Sequence, residues 1–145
     1  DQWAFTLVEP VKLPASVFPA PLFHYISALP NAEEFWPTAV AAFPDSGKLW
    51  FGHGNSLWKQ GQQHKALEAF RTATEKAPDF AAAWNNRAYA EQALGNKKSA
   101  NDSICRAHAL APGDQTIRDS VAELTGQSCS SSADAPSAEG CCAAN

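Results

Sequence analysis

The residues of this 145-residue chain best equipped for covalent or metal chemistry are its four cysteines and four histidines. Cys105 and His108 stand three apart, which puts both on one side of a helix and offers two of the four ligands of a structural zinc site. Such a site needs short paired spacings on both sides, and the remaining cysteines, Cys129, Cys141 and Cys142, supply only a vicinal pair. No metal is therefore expected. A haem attachment would need a second cysteine before His108, and none is there. Cys105 with a distant histidine is the one nucleophile pair to consider, but no glycine-rich turn or oxyanion motif accompanies it. His24, His53 and His64 are dispersed, and the carboxylates are expected mainly on exposed positions. No catalytic residue and no cofactor is expected. Disulfides are the better use of Cys105, Cys129, Cys141 and Cys142, with three full pairings open. The vicinal pair is expected to bond elsewhere rather than to itself. Asn101-Asp102-Ser103 fits the glycosylation pattern on what reads as an exposed helix face.

The elements that carry these residues follow a repeat of 34 residues. Trp50 recurs as Trp84, Gly54 as Ala88, Gly61 as Gly95, Ala66 as Ala100, Phe70 as Ile104, Ala73 as Ala107 and Pro78 as Pro112. Each match has a physical reason. Trp50 and Trp84 are the large knobs of a first helix, expected in the core, and the small residue four further on lets a second helix approach. Gly61 and Gly95 suit a left-handed helix end. Ala66, Phe70 and Ala73 form an i, i+4, i+7 stripe, which Pro78 stops. The same arithmetic reaches upstream, where Trp36, Ala39 and Pro44 occupy the corresponding places. One helix is expected near 21–29 and another near 32–43, with Pro37 predicting a kink or a late start. A final helix at 115–125 places Ile117, Val121 and Leu124 on one face.

This pattern resembles the tetratricopeptide-repeat (TPR) family, whose helix-turn-helix unit has this length and order of large, small and breaking residues. The segment GKLWFGHGNSLWKQGQQHKALEAFRTATEKAP carries the likeness best. It implies an all-α solenoid of one degenerate and two good repeats (18–46, 47–80 and 81–114) with a capping helix at 115–125. It also implies a partner-binding inner face at Lys48, Phe51, Asn55, Trp58 and Lys59, then Ala82, Asn85, Asn86, Tyr89, Gln92 and Ala93. Mixed aromatic and amide groups suit an extended peptide, whose backbone needs polar partners and whose side chains need apolar contact. Asn55 and Asn86 are similar to part of the carboxylate clamp of chaperone-binding TPRs. Phe51 stands where that clamp has Lys, so chaperone binding is not expected.

The ends read differently. Residues 1–17 form an extended arm in which WAFTLV, residues 3–8, has strand composition and no partner strand in the rest of the chain. Residues 126–145 are a Ser-, Ala- and Cys-rich tail expected to be flexible unless tied down. The order WAF-x-LV-x-P, KLPA and then repeats also resembles the C-terminal TPR region of bacterial bacteriocin-processing (papain-like) cysteine peptidases. The catalytic Cys and His of that family lie upstream of this region, so the likeness implies an accessory role without catalysis. A chain beginning at Asp1 with no Met reads as a processed product or fragment.

Charge narrows the partners. The net −4 is uneven: residues 47–112 carry +4 and each flank −4. The basic excess has no Arg cluster or aromatic interleaving, so a nucleic-acid groove is not expected. No apolar run reaches the roughly 18–20 residues of a membrane span. The sequence thus predicts a non-catalytic scaffold that binds another protein or peptide segment, including copies of itself. One alternative is an extracellular subunit that self-assembles through its arm and tail disulfides; another is the peptidase accessory region. Clustered cysteines favour an extracellular or periplasmic setting over the cytoplasm.

Overall fold

A computed structural model describes residues 19–126 and Cys142. Over these residues the chain is all-helical: α1 (Pro19–Ser27), α2 (Ala32–Ala42), α3 (Gly47–Lys59), α4 (Gln63–Lys76), α5 (Ala81–Ala93), α6 (Lys97–Leu110) and α7 (Gln115–Thr125). The hairpins α1–α2, α3–α4 and α5–α6 pack in succession, and α7 lies against α6 and α5. That is the arrangement of a helical solenoid. The strand expected at residues 3–8 and the tail cysteines Cys129 and Cys141 lie outside the described residues.

The 34-residue frame is physical as well as textual. Trp36, Phe70 and Ile104 are all buried at one position of successive second helices, as are Ala39, Ala73 and Ala107. Leu49, Ala83 and Ile117 are buried at one position of successive first helices. Burying each large side chain removes apolar area worth roughly 1.5–3 kcal/mol. The turns repeat too. Gly61 (φ 76°) and Gly95 (φ 84°) take the left-handed conformation that glycine adopts without Cβ strain. The next amides close back on the helix, Gln62 N–H to Leu57 O at 3.0 Å and Asn96 N–H to Glu91 O at 2.9 Å.

Two expectations change. Trp50 and Trp84 are half-buried rather than enclosed. Each lies across the hairpin entrance and donates its indole N–H to the carbonyl six residues back, Trp50 to Pro44 at 2.8 Å and Trp84 to Pro78 at 2.9 Å. Those prolines therefore do more than stop helices. The third member of the series is Arg118, which donates to Pro112 O at 3.3 Å. Pro37 does not delay α2, which starts at Ala32 and runs through it. Buried Trp36, Ala39 and Val40 anchor the helix on both sides of the lost hydrogen bond.

Helix α7 is more than a lid. Asp114 caps it by accepting from Ile117 N–H at 3.2 Å, as Ser46 accepts from Leu49 N–H at 3.3 Å in α3. Its cap, buried residue and carbonyl-binding side chain all sit 34 residues after those of α5. It occupies the place of a first helix in the 34-residue frame.

Candidate functional site

At 100° per residue, α3 has two stripes roughly 130° apart: residues 50, 53 and 57 on one side and 51, 55 and 58 on the other. The second stripe faces the side lined by α1, α3, α5 and α7. Asn55, Tyr89 and Glu123 occupy one register position on three successive first helices. The Tyr89 hydroxyl donates to Glu123 Oε2 at 2.6 Å. Burial and then this carboxylate push the Tyr89 phenol above its ordinary value, against a smaller opposite effect of Ser120. Tyr89 stays a neutral donor at physiological pH.

Between α3 and α5, Asn55, Trp58, Phe70, Asn86 and Tyr89 enclose a cavity of about 160 Å³. Its floor is the buried Phe70 ring, and Trp58 on its rim is among the most exposed large apolar residues described. Three amides run beside it: Asn85 Nδ2 donates to Asn86 Oδ1 at 3.2 Å, and Asn86 Nδ2 donates to Asn55 Oδ1 at 2.7 Å. The ladder orients Asn86 and Asn55 in turn and uses the Asn55 oxygen as an acceptor, which leaves the Asn55 NH2 outside this chain of bonds. Asn55 also borders a larger cleft of about 460 Å³ between α1, α2 and α3, which includes Lys59.

The expected groove residues divide accordingly. Asn55, Trp58, Asn86 and Tyr89 come together, with Lys59 alongside. Phe51 is spent on packing, its ring 4.9 Å from Phe80 and 6.2 Å from Phe23. Lys48 lies over the Phe23 ring at 5.1 Å. Asn85, expected on the groove surface, is buried at 8% exposure and orients Asn86 instead. Gln92 is half-buried, with its Oε1 shut away from solvent. Ala82 is half-buried and Ala93 exposed. Two groove participants escaped the sequence reading. Phe70 looked like core alone, and Glu123 looked like part of a cap, although its 34-residue distance from Tyr89 was available as a signal.

The opposite stripe holds a second polar centre, built on Glu91, the exception among described carboxylates that otherwise lie on exposed positions as expected. Glu91 is 1% exposed, and its Oε1 accepts from Ser103 Oγ at 2.6 Å and from Arg87 Nε at 3.0 Å. Arg87 Nη1 donates to Thr74 Oγ1 at 3.0 Å. The Arg87 and Arg106 guanidinium groups lie 5.0 and 5.7 Å from the Trp84 ring centroid. This is structural chemistry that ties α4, α5 and α6 together.

The structure joins Cys105 to Cys142 with Cα atoms 5.5 Å apart, so Cys105 serves neither as a nucleophile nor as a metal thiolate in this state. His108, three residues on, is buried. Of the glycosylation triplet only Asp102 is exposed: Asn101 is half-buried with Oδ1 shut from solvent, and Ser103 is bonded to Glu91. The triplet straddles the packed side of α6, which overturns the exposed-face expectation. No helix among the described residues is long and apolar enough to cross a membrane.

Fold and groove together define a chain of stacked helical hairpins with an amide- and aromatic-lined face. No family model matches it. Over 77 residues, 53% of this chain, it is 34% identical to the Protein O-mannosyl-transferase TMTC1 of Homo sapiens. The match spans 9% of that protein's length. The likeness to bacteriocin-processing peptidases gains no support from these comparisons.

Proposed function

We propose that this chain is a TPR-type scaffold that receives an extended segment of a partner protein on the face formed by α1, α3, α5 and α7, and performs no catalytic step itself. The observation that carries this reading is the cavity between Asn55, Trp58, Phe70, Asn86 and Tyr89. It offers an apolar seat for one side chain directly beside oriented amide donors for a peptide carbonyl. The groove draws these residues from successive repeats, so an extended ligand would read several helices at once. Trp58 is the natural anchor because it is large, exposed and on the rim of the cavity.

The test is selection of a displayed peptide library against the chain, followed by titration of the enriched peptides. Trp58→Ala and Asn86→Ala should each weaken binding about tenfold or more. Leu110→Ala, exposed on α6 away from the groove, should leave it unchanged. Peptides that bind all three variants equally would refute the groove.

The self-assembly alternative has no observation of its own here. Cys105 and Cys142 are engaged with one another within one chain, and the arm proposed to join neighbours lies outside the described residues. An extracellular or periplasmic setting remains part of the proposal, motivated by the same disulfide.

A further inference from the structure

The bond between Cys105 and Cys142 has a position that bears on the groove. Cys105 sits in the middle of α6, and Cys142 lies 37 residues later, so the closed loop contains all of α7. Both half-cystines pack against one cluster built from α5, α6 and α7: Ala88, Ile104, Ala107, Ile117 and Val121. Cys142 thus packs on the cluster that includes Ile117 and Val121 of α7, while its bond fixes it to α6. On its other side α7 carries Glu123, the acceptor for the Tyr89 hydroxyl that walls the candidate pocket. Among the described elements α7 packs mainly on α6 and less on α5. A helix packed on one side at the edge of the described solenoid is the part most prone to open locally.

We propose that the Cys105–Cys142 disulfide is a redox clasp that holds α7 in place and, through Glu123 and Tyr89, sets the shape of the groove. Its consequence for partner binding rests on the groove reading above, whereas the clasp itself does not. Reduction by a dithiol proceeds by thiolate attack on one sulfur, cleavage of the S–S bond and release of two protein thiols. The dithiol supplies the two electrons and two protons and leaves as its own cyclic disulfide. The product frees α7 to fray, and Glu123 then no longer fixes the Tyr89 hydroxyl.

The experiment compares the oxidised full chain with Cys105→Ser and with the dithiothreitol-reduced chain. One readout is hydrogen exchange of the α7 amides, and the other is phenol absorbance on titration above pH 10. Tyr89 and Tyr25 are the only tyrosines, so in a Tyr25→Phe background the absorbance reads Tyr89 alone. Burial first, then the carboxylates of Glu123 and Asp119, raise the Tyr89 phenol. From α3 and α4 the pocket adds only uncharged Asn55, Trp58 and Phe70. Without the bond the Tyr89 step should move down toward its ordinary value, α7 exchange should quicken by about tenfold or more while α3 and α4 stay protected, and the melting temperature should fall by roughly 10 °C. Unchanged α7 exchange would overturn the clasp. Faster α7 exchange with an unmoved Tyr89 step would overturn its link to the groove. Neither result depends on whether a peptide binds, so the groove reading stands or falls separately by the peptide titration.

Discussion

The hairpins α3–α4 and α5–α6 share a frame and differ in what fills it. Behind Trp50 and Trp84 lies the same notch, residue for residue. His53 becomes Arg87, Leu57 becomes Glu91, and Ala69 becomes Ser103. In the first hairpin this leaves a wide cleft of about 690 Å³ whose His53 has a buried, unpartnered Nδ1. In the second, Glu91, Arg87 and Ser103 bond one another across the hairpin. The difference teaches that the repeat interval dictates where helices start, turn and touch, while groups of coupled residues set the local chemistry. The groove side shows the same division: one register position holds Asn55, Tyr89 and Glu123, and only the last two bond each other.

Removing Glu91 should break the comparison most. Glu91→Ala leaves Arg87 half-buried without its carboxylate and should cost about 3 kcal/mol in urea unfolding. Installing the other hairpin's set, Arg87→His with Glu91→Leu and Ser103→Ala, should cost less than the single change, because no charge is then stranded. A triple variant less stable than Glu91→Ala would show that the notches are not interchangeable.

The contact between first and second helices sharpens the comparison at a smaller scale. A Cβ added at Gly54 would lie 2.6 Å from Phe70 Cε1, whereas the second hairpin pairs Ala88 with the slimmer Ile104. Gly54→Ala should therefore cost about 1–3 kcal/mol despite the better helix propensity of alanine. Adding Phe70→Ile should recover part of it, so that the double variant is more stable than the sum of its parts. Strict additivity would mean that the two positions do not share space.

The smallest effect is electrostatic. Burial lowers the His53 pKa below 6.5. The unfolded chain then takes up this proton more readily than the folded one, so His53 contributes stability that is present above pH 6.5 and lost as pH falls below it. Melting scans should show a shallower acid decline for His53→Gln than for the parent chain. An unchanged slope would remove His53 from the acid response.

Much of the fold was legible because it rests on local, strongly periodic signals. Helices expected near 32–43 and at 115–125 occur at Ala32–Ala42 and Gln115–Thr125, and α1 lies two residues earlier than expected. The site was legible in part. Asn55, Trp58, Asn86 and Tyr89 line one cavity, whereas Asn85 is buried and Phe51 packs on Phe80 and Phe23. The buried Glu91 was missed since a lone carboxylate carries no sign of burial. Its signal lay in three polar replacements arriving together one interval on. Cysteine pairing was open in the sequence because connectivity depends on where the tail returns.

The central claim is that partners use the Asn55 side of the solenoid and not the Trp50 side. It is tested most directly by NMR of the chain with a library-selected peptide, following side-chain amide and indole N–H signals. The Asn55 and Asn86 amides and the Trp58 indole should shift, while the Trp50 and Trp84 indoles, held on prolyl carbonyls, stay in place. Movement of those two indoles with still asparagine amides would put the partner on the opposite face and contradict the account.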